Sequence, residues 1–410
     1  MKKYRLIALT MALAMSFMVG CSTTAPSAPA SSEAAAPASE ASTAEKTPSK
    51  GFDGTVSFGI SAPLTGTNKM NGDYVKRGAE MAAETINANG GILGKELKLV
   101  YEDEMDTLQG SVNAMTKLMN NDQVVALFGS VYTPNVVAIS PTVLEKKIPF
   151  YCGDSSVNAL KGDNPYYWQA RMTADKTAIV FSKTVKDVLK AKNPAIIHVT
   201  DSFGNQAKDN TIRELKNIGI EVNEKNIYGF VNDEKNFTPI ITQIMNSDCD
   251  AVLAFGHQMP AALICQQAEA AGLDLPRIGS SSWASAICRT NAGAAADGWY
   301  AIADWTDEIT TEEGKAFAKA YNAKYNTQAD MPALACHDSI MLFAEACRIA
   351  GTTTDKEAIN NAMKEIKDYH GAMSIYTYNG TSSLSTVQLC TKNEGGNAKM
   401  VEAVAITAVK

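Results

Sequence analysis

The side chains best suited to chemistry are few and poorly spaced for it. The four histidines, His198, His257, His337 and His370, are scattered without metal-ligand spacing. No Cys-x-x-Cys pair, Gly-x-Ser-x-Gly elbow or His-Glu-x-x-His helix occurs. The run Glu102-Asp103-Glu104 gathers carboxylates, but such runs are common in solvated loops and give no support to a glycosidase. The glycines of Asn87-Ala88-Asn89-Gly90-Gly91-Ile92-Leu93-Gly94 suit a helix end rather than a phosphate cradle. No Gly-x-Gly-x-x-Gly joins a strand to a helix, and no P-loop lysine motif exists. The expectation is a protein with no catalytic residue, no metal and no cofactor.

The N-terminus indicates the compartment. Lys2, Lys3 and Arg5 precede an apolar run from Leu6 to Val19, which has the form of a secretory signal and is too short to span a bilayer comfortably. The run ends at Met18-Val19-Gly20-Cys21, which resembles a bacterial lipobox with Met18 where leucine is usual. Residues 1–20 therefore read as a signal peptide and Cys21 as the lipidation site. Residues 21–53 are mostly Ala, Ser, Thr, Pro and Glu, too poor in bulky apolar groups to order, and read as a flexible leash. A net charge of -7 leaves no basic surface for nucleic acid. With Cys21 acylated, Cys152, Cys249, Cys265, Cys288, Cys336, Cys347 and Cys390 remain. Seven cannot all pair, and several sit in apolar runs, so one disulfide and free thiols are both open.

Strands and helices alternate through most of the remainder. Strands are expected at 55–60, 97–101, 124–128, 148–151, 195–199, 227–230, 251–255 and 277–279. Helices are expected at 73–87, with Asp73 as N-cap, and at 110–119, 135–145, 177–190, 205–218, 238–245 and 260–271, the third interrupted or displaced by Pro141. Such alternation implies parallel strands joined by crossover helices. About 360 residues suit two lobes better than one core. Two open sheets facing one another make a cleft beyond the carboxyl ends of their strands.

Several motifs, in order and at this spacing, carry a family resemblance. They are Pro63-Leu64-Thr65-Gly66, Gly78-Ala79-Glu80, Ile86-Asn87, Gly90-Gly91-Ile92-Leu93-Gly94, Glu102-Asp103 and Phe128-Gly129-Ser130. Weaker similarity continues through Asp201-Ser202-Phe203-Gly204, 294–298 and His337-Asp338-Ser339. Together they resemble the type I periplasmic binding proteins for leucine, isoleucine, valine and related ligands. The resemblance implies two doubly wound, Rossmann-like α/β lobes joined by a three-segment hinge. Lobe one would comprise 54–172 and 303–371, lobe two 173–302 and 372–410. It further implies a monomeric, extracytoplasmic ABC-importer component, held to the outer face of the membrane only by its lipid. Its partners would be a small amino acid or related carboxylate and separate permease and ATPase subunits.

The same resemblance nominates the site. Thr133 and Ser156 match hydroxyls that hold a ligand carboxylate, Ser155 lies between them and the carbonyl of Asp154, and that carbonyl takes the ammonium. Helix capping is the plainer reading of Thr133, Ser155 and Ser156. Phe203 stands where many members have tyrosine, keeping the ring without its hydroxyl. His257 and Gln258 fall where members reach the ligand with an aromatic hydroxyl. Ser281 occupies the place of the acidic residue that faces the ammonium. An unpaired ammonium in a closed cleft is costly, so either Asp304, Asp154 or Asp338 supplies the charge or the ligand is no standard α-amino acid. A lipoprotein of this fold that signals through a separate receptor is the alternative role.

Overall fold

Strands buried on both faces carry crossover helices, and their composition follows from that burial: Val124-Val125-Ala126-Leu127-Phe128 and Ala251-Val252-Leu253-Ala254-Phe255 are wholly apolar and wholly buried. The computed structural model describes residues 51–152, 164–306, 308, 311–385 and 387–405. The first array runs β1 (Thr55–Ala62), α1 (Lys69–Ala88), β2 (Glu96–Asp103), α2 (Leu108–Met119), β3 (Val124–Phe128), α3 (Thr133–Lys146), β4 (Phe150–Cys152) and β5 (Tyr167–Gln169). These strands form one parallel sheet in the order β2-β1-β3-β4-β5.

The second array begins α4 (Ala174–Thr184), β6 (Pro194–Val199), α5 (Ser202–Asn217), β7 (Ile227–Phe230), α6 (Thr238–Met245), β8 (Ala251–Phe255) and α7 (Gln258–Ala271). It continues β9 (Arg277–Gly279), α8 (Ser281–Ala284), α9 (Ala286–Ala292) and β10 (Tyr300–Ala303). The chain then returns to the first sheet with α10 (Glu312–Tyr325), α11 (Met331–Ala350) and α12 (Lys356–Ala362), whose buried residues share a core with β1 and α1. After the small ribbon of β11 (Tyr369–His370) and β12 (Ile375–Tyr376), the chain closes with β13 (Val387–Glu394) and β14 (Asn397–Ala405). The second sheet has the order β14-β13-β10-β9-β8-β6-β7, with β13 and β14 antiparallel at its edge.

Two lobes thus face each other, and the chain crosses between them between β5 and α4, after β10 and before β13. Packing of α11 on α1 is close because Gly78 has no side chain: a Cβ there would stand 2.0 Å from the carbonyl oxygen of Ala333. Two expectations need correction. α1 starts at Lys69 with Asn68 before it, and Asp73 pairs with Lys69 at 2.5 Å instead of capping. α3 runs unbroken past Pro141. Proline removes one backbone donor, but the carbonyl it deprives belongs to Val137, which is 37% exposed and within reach of solvent. Gly90, Gly91 and Gly94 take positive φ values of 88, 76 and 78°, as the end of α1 requires. All seven described cysteines are buried free thiols, which leaves no disulfide among the described residues. No helix among them is long and apolar enough to cross a membrane.

Candidate ligand-binding cleft

Loops at the carboxyl ends of both sheets converge on one cleft, whose empty space, mouth included, is about 620 Å³. Six of the residues nominated from sequence line it: Thr133, Phe203, His257, Gln258, Ser281 and Asp304. Asp154, Ser155, Ser156 and Cys21 lie outside the described residues. Thr133 is the first residue of α3, and the preceding Tyr132 occupies the cap position, so capping does not account for Thr133. Its loop is held from behind by Glu104, which is only 1% exposed and accepts hydrogen bonds from Ser61 Oγ at 2.8 Å and Ser130 Oγ at 2.6 Å. Burial pushes the Glu104 carboxyl up, against the pull of its hydroxyl and amide donors. This residue reads as part of a solvated run in the sequence; the structure instead makes it the tie between the end of β1 and the loops after β2 and β3.

On the opposite lobe, Asp201 caps α5 by accepting from the N–H of Gly204 at 2.9 Å, and its other oxygen meets His257 Nε2 at 2.7 Å. Burial raises the Asp201 carboxyl, but His257 and the N–H groups of Gly204 and Phe203 outweigh it and hold the carboxyl below its ordinary value. The His257 ring lies between Phe203, 5.4 Å away on its own lobe, and Tyr132 of the first lobe, 5.1 Å away and edge-on. Beyond this aromatic contact the cleft widens into a second space of about 1110 Å³ that includes Asn68, Asp106, Asp233 and Lys235.

At the hinge, Asp304 does not present a spare carboxylate. Arg171 donates from Nε to Asp304 Oδ2 at 2.6 Å and from Nη2 to Ser281 Oγ at 2.7 Å. Gln388 Nε2 reaches Asp304 Oδ1 at 3.3 Å and Thr177 Oγ1 at 2.9 Å, while Ser383 Oγ donates to the carbonyl of Arg171 at 2.8 Å. One polar cluster therefore ties together all three crossings. Asp338 is also unsuited to an ammonium. It is fully buried, lies away from the cleft, and accepts from the N–H groups of Ala372 and Met373 at 2.8 and 2.7 Å and from Tyr376 Oη at 2.9 Å.

Of the lining residues that sequence reasoning missed, two are charged, Arg171 and Asp330. A lone arginine in the aromatic and apolar stretch Tyr166-Tyr167-Trp168-Gln169-Ala170-Arg171-Met172 was the available sign of a buried cation with a partner. Asp330 stands before Met331-Pro332, an aspartate with proline just inside the following helix, which marks an N-cap. Among the described residues no group of histidines, cysteines and carboxylates could hold a metal ion.

Residues 55–385 match the model of a family described as periplasmic binding protein. An amino acid binding protein of Pseudomonas aeruginosa is 30% identical over 220 residues, which cover 53% of this chain and 58% of that protein. A Leu/Ile/Val-binding protein homolog of Brucella melitensis is 25% identical over 336 residues, covering 81% and 89%. Among solved structures, an ABC transporter solute binding protein from R. palustris in complex with benzoate superposes with a TM-score of 0.78 at 18% identity, covering 87% of this chain and 99% of that one.

Proposed function

The chain belongs to the periplasmic binding protein family, and on that premise we propose that it is the extracytoplasmic solute-binding component of an ABC importer, taking an amino acid or related small carboxylate. The observation that carries this reading is the convergence of Thr133, Phe203, His257, Gln258 and Ser281 from two lobes on one cleft whose floor is the Arg171–Asp304 pair. Hydroxyl and backbone donors can hold a carboxylate without a dedicated arginine. The relatives named for amino acids or for leucine, isoleucine and valine support that ligand class. Permease and ATPase subunits are the partners, and acylated Cys21 is the proposed attachment to the membrane. The reading includes no chemical step.

A second reading has its own support. Among the described carboxylates that line the cleft, Asp304 is paired with Arg171 and Asp330 accepts from the N–H groups of Met331 and Ala286, and by resemblance Ser281 stands where an acidic residue would face an ammonium. This favours a carboxylate that lacks one, such as an aromatic or keto acid, and the benzoate complex is a case of that chemistry on the same fold. A thermal-shift and tryptophan-fluorescence screen of amino acids, their deaminated analogues, sugars and nucleosides decides between the readings. Trp305 lines the cleft and is the expected reporter. Saturable binding of leucine over its keto acid supports the first reading, the reverse order supports the second, and binding of sugars or nucleosides alone defeats both. For attachment, Cys21→Ser should release the protein into the medium or leave uncleaved precursor; a variant still carrying lipid would refute the lipobox.

A further inference from the structure

Asp330 is a buried carboxylate shared by the two lobes. It precedes α11, which packs on α1 in the first lobe, and its Oδ1 accepts from the N–H of Met331 at 2.9 Å. Its Oδ2 accepts from the N–H of Ala286 at 2.8 Å, and Ala286 lies in the second lobe, between β9 and β10. Only 4% of Asp330 is exposed. Ala286 and Ile287, beside this bond, are buried in the core cluster of the first lobe. The contact therefore joins α11 of the first lobe to α9 of the second beside the cleft.

We propose that Asp330 is a positioning residue that fastens the lobes shut, so that the Asp330–Ala286 bond sets how long a captured solute stays. This rests on the importer reading above. The bond gives the closed state a hydrogen bond to a charged acceptor that the open state must replace with water, and its net worth is the difference between the two. A group that favours the closed state shifts the open–closed equilibrium, and because Asp330 also lines the cleft, Ala286→Pro, which lies outside the lining, separates fastening from direct contact with the solute. Since a solute leaves only when the lobes part, loss of the bond speeds release, and association, which passes through the open state, is no slower because that state is more populated.

Two variants weaken the contact from opposite sides, and the N–H of Ile287, which also reaches Asp330, is left in place by both. Asp330→Asn removes the charge of the acceptor. Ala286→Pro removes the donor N–H at the first residue of α9, where proline is well tolerated. The preceding Ser285, at φ -64° and ψ 146°, already has the extended backbone that proline requires of its predecessor. Small-angle scattering of the ligand-free full chain should give a larger radius of gyration for both variants than for the parent. Stopped-flow release of leucine should be about tenfold faster in both, with association no slower, and the effects should be less than additive in the double variant because both act on one contact. Identical scattering of parent and variants overturns the proposal, as does a loss of thermal stability unaccompanied by any change in scattering or release. If the parent binds no amino acid, the amino-acid reading fails by itself, and scattering still decides whether Asp330 holds the lobes together.

Discussion

Arg171 and Asp304 are 6% and 3% exposed, and a charge pair that deep gains little over an apolar pair of the same shape. Removing one partner is a different matter, because the other is left charged and dry. Arg171→Gln should therefore destabilise the protein by about 3–5 kcal/mol, measured by urea unfolding. Adding Asp304→Asn should recover part of that loss, since no uncompensated charge remains. If the double variant is no more stable than Arg171→Gln, the pair contributes through packing rather than charge. The residue scale is also where the sequence was least legible. The partner of Arg171 arrives 133 residues later, so no local pattern could mark the pair, and Glu104 looks solvated until Ser61 and Ser130 are seen to enclose it. Thr133, Phe203 and His257 were nominated by position in the resemblance and do line the cleft, whereas several of their neighbours there come from distant segments.

Elements were read more reliably where burial is one-sided or total. β3, β7, β8, β9 and α6 fall where the residues place them, since continuous apolar strands and short helices between turn residues leave few alternatives. α11 escaped a pattern-based reading for a physical reason. Thirteen of its twenty residues are buried, so it lacks the polar face that makes a helical period visible. β5, only three residues long, is too short to show alternation. The packing of α11 on α1 gives a prediction at this scale. Gly78→Ala places a methyl group 2.0 Å from the Ala333 carbonyl oxygen, so the helices must separate. An overpacking cost of about 1–3 kcal/mol is expected in denaturant unfolding. α11 carries Met331 and Pro332 into the cleft, so weaker solute binding should accompany the loss. Full stability in Gly78→Ala would mean that the helices have room that this packing denies them.

At the scale of the whole molecule, each lobe buries clusters of its own, and one cluster reaches from the first lobe into the second. β6, β8 and β9 bury their residues in clusters confined to the second lobe, while α1, α11 and β1 share the main cluster of the first. That cluster extends across the divide only at a few places, among them Ala286, Ile287 and Leu389. Other connections among the described residues include the polar hinge, the Asp330 carboxylate and the edge contact of Tyr132 with His257. A solute held by Thr133 on one side and by Phe203 and His257 on the other adds to this slender set, and it must leave before either lobe can unfold its cleft loops. At a free concentration one hundred times its dissociation constant, such a ligand stabilises the bound state by about 2.7 kcal/mol. Differential scanning calorimetry of the ligand-free chain should show two overlapping transitions, because each lobe has its own core. A saturating solute should move both upward and merge them into one. If only one transition moves, the solute is bound by a single lobe, and a site built from both sides of the cleft is untenable.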